Sequence, residues 1–211
     1  MTVKGKVVNK LFKGGWKGLA YDLLLSFFEG MLVKKWRRKL WNQVKGPRIL
    51  EVGVGTGLNI FYYPSGVSVT ALDLSEEYLQ RARLRAERMK KPVELVQGDV
   101  KAMPFKEASF DTVVSSFLFC QVDEPRAGLQ EIYRVLKPGG RFLMLEHVNS
   151  RGKLGKMMNI ISGPFYRLFG DHIARDTEVL ARQVGLKKVS TTNLFLDIVR
   201  LIYVEKEKGQ S

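Results

Sequence analysis

Ile49-Leu50-Glu51-Val52-Gly53-Val54-Gly55-Thr56-Gly57-Leu58-Asn59 is an apolar strand that stops in alternating glycines. Glycine accepts left-handed backbone and carries no Cβ, so a strand ending this way brings bare backbone N–H groups close to a ligand. A nucleotide-like cofactor suits such a turn. Glycine alternation alone also fits a purely conformational turn or a dinucleotide fingerprint, so the flanks decide. The spacing here is Gly53-x-Gly55-x-Gly57 rather than G-x-G-x-x-G. Glu51 precedes the first glycine by two, and Asp73 closes the next apolar run, Val67-Ser68-Val69-Thr70-Ala71-Leu72. A carboxylate at that place can accept both hydroxyls of a ribose.

Outward from this stretch the pattern alternates strand and helix. Strand Arg48–Val52 is followed by a short helix after Gly57, strand Val67–Leu72, helix Ser75–Lys90 and strand Val93–Gln97. Ser75 is read as the N-cap, with Glu76 and Glu77 in the first turn, where the helix dipole favours anions. Strand Phe110–Phe117, helix Pro125–Leu136, the turn Lys137-Pro138-Gly139-Gly140 and strand Arg141–His147 follow. The sequence predicts an α/β fold, a doubly wound, mostly parallel sheet of seven strands. After a basic insertion at Asn149–Asp171, helix Asp176–Val184 leads to strands Leu186–Leu194 and Asp197–Glu205, close enough to form an antiparallel C-terminal hairpin.

With 211 residues, 45% of them apolar, the chain fits one full core. The single cysteine, Cys120, excludes an internal disulfide and argues for a reducing, intracellular setting, where a buried inert thiol is the favoured reading. Met1–Lys6 lacks an apolar signal core, and the longest uncharged stretch, Val52 to Leu72, holds four glycines and Pro64. A secretory signal and a transmembrane helix are therefore not expected. No Cys/His cluster at ligand spacing supports a metal site.

Charge is distributed unevenly. Residues 1–45 carry +9 of the formal +14, with Lys34, Lys35, Arg37 and Arg38 clustered around Trp36. A helix is expected over Leu19 to Val44, with Gly30 as a point of interruption. The cations interleave with Leu, Phe and Trp, which suits an anionic membrane surface; nucleic acid offers the same charge, and a solvated helix face is the bland alternative. The expected organisation is a basic amphipathic segment at 1–45 and a catalytic domain at 46–211, with a covering insertion at about 149–175.

From about residue 48 to 150 the motifs resemble, in order, those of class I S-adenosylmethionine-dependent methyltransferases, a Rossmann-like fold. The resemblance implies S-adenosylmethionine as cofactor, its methionine end near Glu51, Gly53, Gly55 and Gly57, and its ribose on Asp73 beside Leu74. In Gln97-Gly98-Asp99-Val100, Asp99 would accept from the adenine amine while the Val100 N–H donates; Asp99 can equally cap a turn. Phe110–Ser116 resembles the fourth strand, whose end at Ser116 and Phe117 lies under the sulfonium. Ala20-Tyr21-Asp22-Leu23 and Trp36-Arg37-Arg38 resemble the N-terminal helix of the ubiquinone/menaquinone and phospholipid N-methyltransferase group, in which the tyrosine approaches the cofactor. Ser116–Val122 and Glu146-His147-Val148 also look like membrane-bound thiol methyltransferases. Phe165–His172 is similar to a substrate-covering segment. No polar residue followed by Pro-Pro-Tyr/Phe stands after the fourth strand, so methylation of base amines is not expected.

Methyl transfer from a sulfonium is an in-line displacement that needs alignment and exclusion of water. An amine acceptor must first lose its proton, which a base or a desolvating pocket would assist. His147, at the end of the fifth strand, and Tyr21 are the catalytic candidates. Tyr166, Arg167, His172 and Arg175 are the candidate substrate contacts, the last three toward a phosphate. The expected function is methylation of phosphatidylethanolamine and its methylated derivatives by a cytoplasmic, peripheral-membrane enzyme. A lipophilic quinone precursor or a small thiol is the alternative acceptor, and a cofactor-binding RNA-associated protein the non-enzyme alternative.

Overall fold

A computed structural model describes residues 30–148, 177–195 and 198–208. Helix α1 covers 30–41. It is followed by β1 (Arg48–Val52), a single 3-10 turn (Ile60–Tyr62), β2 (Ser68–Asp73), α2 (Glu76–Met89), β3 (Glu94–Gln97), β4 (Phe110–Ser116), α3 (Pro125–Val135), β5 (Leu136–His147), α4 (Thr177–Gln183), β6 (Leu186–Phe195) and β7 (Val199–Lys206). The strands form one sheet in the order β3-β2-β1-β4-β5-β7-β6. β1 to β5 run parallel, and β7 enters antiparallel between β5 and β6. The wound sheet and closing antiparallel pair match the sequence reading.

Successive strand residues face opposite sides, so a strand covered on both sides is apolar throughout. Ile49 joins one core with Leu40 and Trp41 of α1, Ala82 and Ala86 of α2, Val69 and Leu143. Its neighbour Leu50 joins the other, with Leu129, Ile132 and Val135 of α3, Ala181 of α4, and Phe142. Helices α1 and α2 thus cover one face and α3 and α4 the other. Leu40 is fully buried and Trp41 nearly so, which makes the described part of the basic N-terminal segment a component of the core.

Local departures from the predicted boundaries have physical causes. α1 stops at 41 because Gly46-Pro47 turns the chain into β1, with the Lys45 backbone held on the buried Thr112 hydroxyl. The stretch Lys137–Gly140, expected as a free turn, is absorbed into β5 as an irregularity: Phe110 pairs Leu136 and the next pair is Thr112 with Arg141. Ser75 caps α2 as predicted, accepting from the Tyr78 N–H. Phe117 leaves β4 with φ +54°, turning the chain at the strand's end.

If α1 is part of the core, Leu40→Ala should cost about 2–5 kcal/mol, the range for emptying a packed leucine site. Urea unfolding checks this. A loss below about 1 kcal/mol would separate α1 from the core.

Candidate active site

Order along the sheet reverses at β1, which pairs β2 on one side and β4 on the other. The crevice outside the carboxyl ends at such a reversal is where open α/β sheets bind ligands. A cleft of about 520 Å³ opens there, within the roughly 300–1,000 Å³ usual for ligand sites. Gly98, Asp99 and Val100 line it beyond β3; Asp73, Leu74 and Ser75 at β2; Gly53, Val54 and Gly55 beyond β1; Ser116, Phe117 and Leu118 at β4. Arg37 of α1 closes that last end.

The glycine loop provides room more than donors. Gly53 and Val54 donate to the Leu72 carbonyl, Gly57 donates to the Val54 carbonyl, and Gly55 donates to Asp73 Oδ2 at 2.7 Å. These N–H groups were expected to face a ligand; instead they satisfy the loop itself, as backbone donors removed from water must be satisfied. Gly55 sits at φ +55° with open space where a Cβ would stand, so a side chain there would be strained. Gly57 does not line the cleft; its missing Cβ allows close packing on Ile60 and Ala82.

Asp73 is held by two backbone donors, Gly55 N–H and Ser75 N–H at 2.9 Å, one on each oxygen. A carboxylate has about four acceptor positions, so both oxygens retain capacity for ribose hydroxyls. Asp99 does cap a turn, accepting from Lys101 N–H at 2.8 Å on Oδ1, with Oδ2 3.8 Å from the Lys101 ammonium. It still lines the cleft. Arg134 of α3 steadies the segment that follows: it donates to the carbonyls of Phe105 and Met103, while its partner Glu131 accepts from Met103 N–H.

Glu51, predicted at the methionine end, lies fully buried behind the cleft wall rather than in it. Its carboxylate accepts from Asn59 Nδ2 and the Tyr63 hydroxyl. Asn59 Nδ2 also lies 3.0 Å from Ser116 Oγ, and Asn59 Oδ1 accepts from Arg37 Nη1 at 2.6 Å. Burial pushes the Glu51 carboxyl up to about 7, against the opposing effect of its two donors and Arg37. Glu146, also fully buried, accepts from the Leu118 and Phe119 N–H groups and so shapes the turn that presents Phe117.

His147 ends β5 as expected. Its ring lies 4.7 Å from that of Phe117, the planes tilted by 35°, and His147 itself does not line the cleft. Cys120 is buried, its thiol 3.4 Å from the Phe117 carbonyl. Tyr21, Tyr166, Arg167, His172 and Arg175 lie outside the described residues. Sequence reasoning missed Arg37 and Asn59. Arg37 had a signal: it falls in the apolar stripe Val33, Trp36, Leu40, Trp41 and Val44 at helical spacing, while Lys34, Lys35 and Arg38 fall outside it.

Known proteins agree with this geometry. Residues 50–144 match a family model described as a methyltransferase domain. The ubiquinone/menaquinone biosynthesis C-methyltransferase of Bradyrhizobium diazoefficiens is 31% identical over 212 residues, 93% of this chain and 83% of that protein. The chain belongs to the class I S-adenosylmethionine-dependent methyltransferases. A phosphatidylethanolamine N-methyltransferase of Cereibacter sphaeroides is 45% identical over 105 residues, 49% of this chain. A thiol S-methyltransferase of Rattus norvegicus is 31% identical over 67% of this chain. The matches cover 52% and 63% of those two proteins, so the chain spans about half to under two thirds of their length. A solved methyltransferase from Methanosarcina mazei, 20% identical, superposes with TM-score 0.63 over 79% of this chain and 95% of that one, a likeness of fold. Membership in this family implies S-adenosylmethionine as cofactor, and the cleft's acceptors at Asp73 and Asp99 fit a nucleoside's hydroxyls and amine.

The raised Glu51 carboxyl has a consequence for stability. Its folded-state value lies above its ordinary 4.5, so its contribution is complete below about 4.5 and is lost as pH rises through about 7. Relative to Glu51→Gln, the wild type should lose about 2–3 kcal/mol between pH 5 and pH 8, at about 1.4 kcal/mol per unit. Urea titrations at each pH measure it. Parallel profiles for the two proteins would mean that Glu51 is ionised throughout.

Proposed function

We propose that this protein methylates the amine of phosphatidylethanolamine and its partly methylated derivatives at an anionic membrane surface. The observation that carries the reading is the two-sided character of α1. Its inner face closes the cleft through Arg37, while its outer face exposes Lys34, Lys35 and Arg38 beside exposed Met31 and Leu32. Phe195, 44% exposed, adds an apolar side chain next to Trp36, their rings 6.3 Å apart. Cations around apolar side chains suit a headgroup layer, and here they stand on the helix whose Arg37 lines the cleft. Among the described residues no helix is long and apolar enough to cross a membrane. A phosphatidylethanolamine N-methyltransferase 45% identical over 105 residues supports an amine acceptor, and a demethylmenaquinone methyltransferase of Clavibacter sepedonicus, 44% identical over 131 residues, makes a quinone precursor the second reading.

When bound, S-adenosylmethionine supplies a methyl group on a positively charged sulfur, an electrophile that needs an aligned nucleophile. The protein's part is to align and to exclude water. Asp73 and Asp99 would hold the nucleoside. Phe117 and Leu118 form an apolar wall at the β4 end, and the His147 ring packs against that of Phe117. A phospholipid amine has a solution pKa near that of lysine, roughly 10, and a water-poor wall disfavours its charged form.

Incubation with vesicles of phosphatidylethanolamine and phosphatidylglycerol plus S-adenosylmethionine, read by lipid mass spectrometry, should yield methylated phosphatidylethanolamine. Turnover of a quinone precursor or a thiol, with the lipid untouched, would overturn the acceptor assignment. Combined Lys34→Gln, Lys35→Gln and Arg38→Gln should remove most flotation with anionic vesicles, since each cation contributes about 1 kcal/mol there before screening. S-adenosylhomocysteine affinity should survive, because Arg37 is spared. Equal flotation of wild type and variant would make this an ordinary solvated face. Retention on RNA that collapses with salt, without vesicle binding, would favour the nucleic-acid alternative.

A further inference from the structure

Helix α2 buries Leu79, Ala82 and Ala86. At about 3.6 residues per turn, the side opposite them carries Arg81, Leu84 and Arg88, with Arg85 on the flank. From 81 to 91 the chain holds six Lys and Arg against Glu87 alone. The acid of the outer stripe, Glu77, is paired with Arg81 at 2.7 Å. Leu84 is 57% exposed in the middle of these cations, at a position where a surface helix ordinarily carries a polar side chain.

The 3-10 turn Ile60–Tyr62 lies beside this helix: Ile60 and Ala82 meet over Gly57, while Phe61 turns outward, 59% exposed, its ring edge-on to that of Tyr62. Helix α1 stands next to both. Burial holds the Arg37 guanidinium of α1 below its ordinary value, Glu51 and Tyr62 oppose that, and the like charge of Arg85 adds to it. Influence of this kind fades within roughly 10 Å in salt, so the turn and α2 adjoin α1. Both helices cover the same face of the sheet, and their outward sides therefore look the same way. The described part of α1 contains no acid, and it exposes Lys34, Lys35 and Arg38. A single exposed apolar side chain needs no explanation, but Phe61 and Leu84 recur within one basic field across adjacent elements.

We propose that the outer face of α2 and the 3-10 turn, continuous with that of α1, docks on an anionic phospholipid surface, Phe61 and Leu84 entering the boundary between headgroups and acyl chains while Arg81, Arg85 and Arg88 meet lipid phosphates. This rests on the membrane part of the proposed function and adds a second element to it: the layer of α1 and α2 lies against the lipid, with the sheet behind it. Charge complementarity selects an anionic partner. Phosphates alone would offer an aliphatic side chain such as Leu84 nothing, whereas the acyl boundary accepts Leu84 and Phe61 together.

The full chain with vesicles of phosphatidylglycerol and phosphatidylcholine tests it. Phe61→Cys and Leu84→Cys, each combined with Cys120→Ser and labelled with an environment-sensitive fluorophore, should show blue-shifted emission on these vesicles, quenched by lipids brominated in the acyl chain. The same label at Glu107→Cys, in the loop before β4, should keep its emission in water. Combined Arg81→Gln, Arg85→Gln and Arg88→Gln should weaken vesicle binding at least tenfold, with circular dichroism unchanged. Labels at 61 and 84 that stay silent, or undiminished binding of the triple variant, while the wild type floats with the vesicles would overturn the proposal and leave attachment to α1 alone. Silent labels together with salt-sensitive retention on RNA would overturn it in favour of a nucleic acid. A wild type that does not bind anionic vesicles at all would instead sink the membrane reading on which it rests.

Discussion

Glu51 has no solvent-exposed surface, and a carboxylate so placed is costly unless donors saturate it. Tyr63 and Asn59 supply those donors, and Asn59 then reaches Arg37 on one side and Ser116 on the other. One buried group therefore ties together α1, the chain after the glycine loop, and the end of β4. The cleft is bounded by those segments, so its shape at the β4 end depends on this network remaining bonded. It also explains the residue choice at 51: an apolar side chain would leave the Tyr63 hydroxyl and the Asn59 amide without this acceptor in a dry place.

Much of the fold was legible because parallel strands buried on both faces leave near-continuous apolar runs, and Ile49-Leu50 and Val113-Val114 are such runs. Glycine spacing and the acids at 73 and 99 marked the cleft, since those residue types answer to constraints acting within a few residues. Less local features escaped. Whether a loop N–H faces a ligand or the neighbouring strand depends on where Leu72 and Asp73 sit, which spacing does not encode. Arg37 was grouped with its charged neighbours, although its helical position among apolar residues set it apart. Glu51 was read toward the ligand because the partners that draw it inward, eight and twelve residues later, are an ordinary Asn and Tyr. Tyr21 and the covering segment with Tyr166, Arg167, His172 and Arg175 fall outside the described residues.

α1 links the two halves of the proposed activity. Leu40 and Trp41 anchor it in the core, Arg37 turns to the cleft, and Lys34, Lys35 and Arg38 face solvent. Under the proposed function, a helix fixed on one side and cationic on the other would meet a headgroup layer without crossing it. Relatives named for phospholipid, quinone and thiol methylation all share sequence with this chain, and that likeness by itself does not select an acceptor.

The groups at the strand ends call for a nucleoside with an amino-acid tail lying across them in the order β3, β2, β1, β4. A crystal structure of the complex with S-adenosylhomocysteine tests it most directly. Adenine is expected beside Asp99 and Val100, the ribose on Asp73, the thioether over Gly55, and the amino acid toward the β4 end. A ligand lying in the reverse direction, or bound away from these strand ends, would contradict the account.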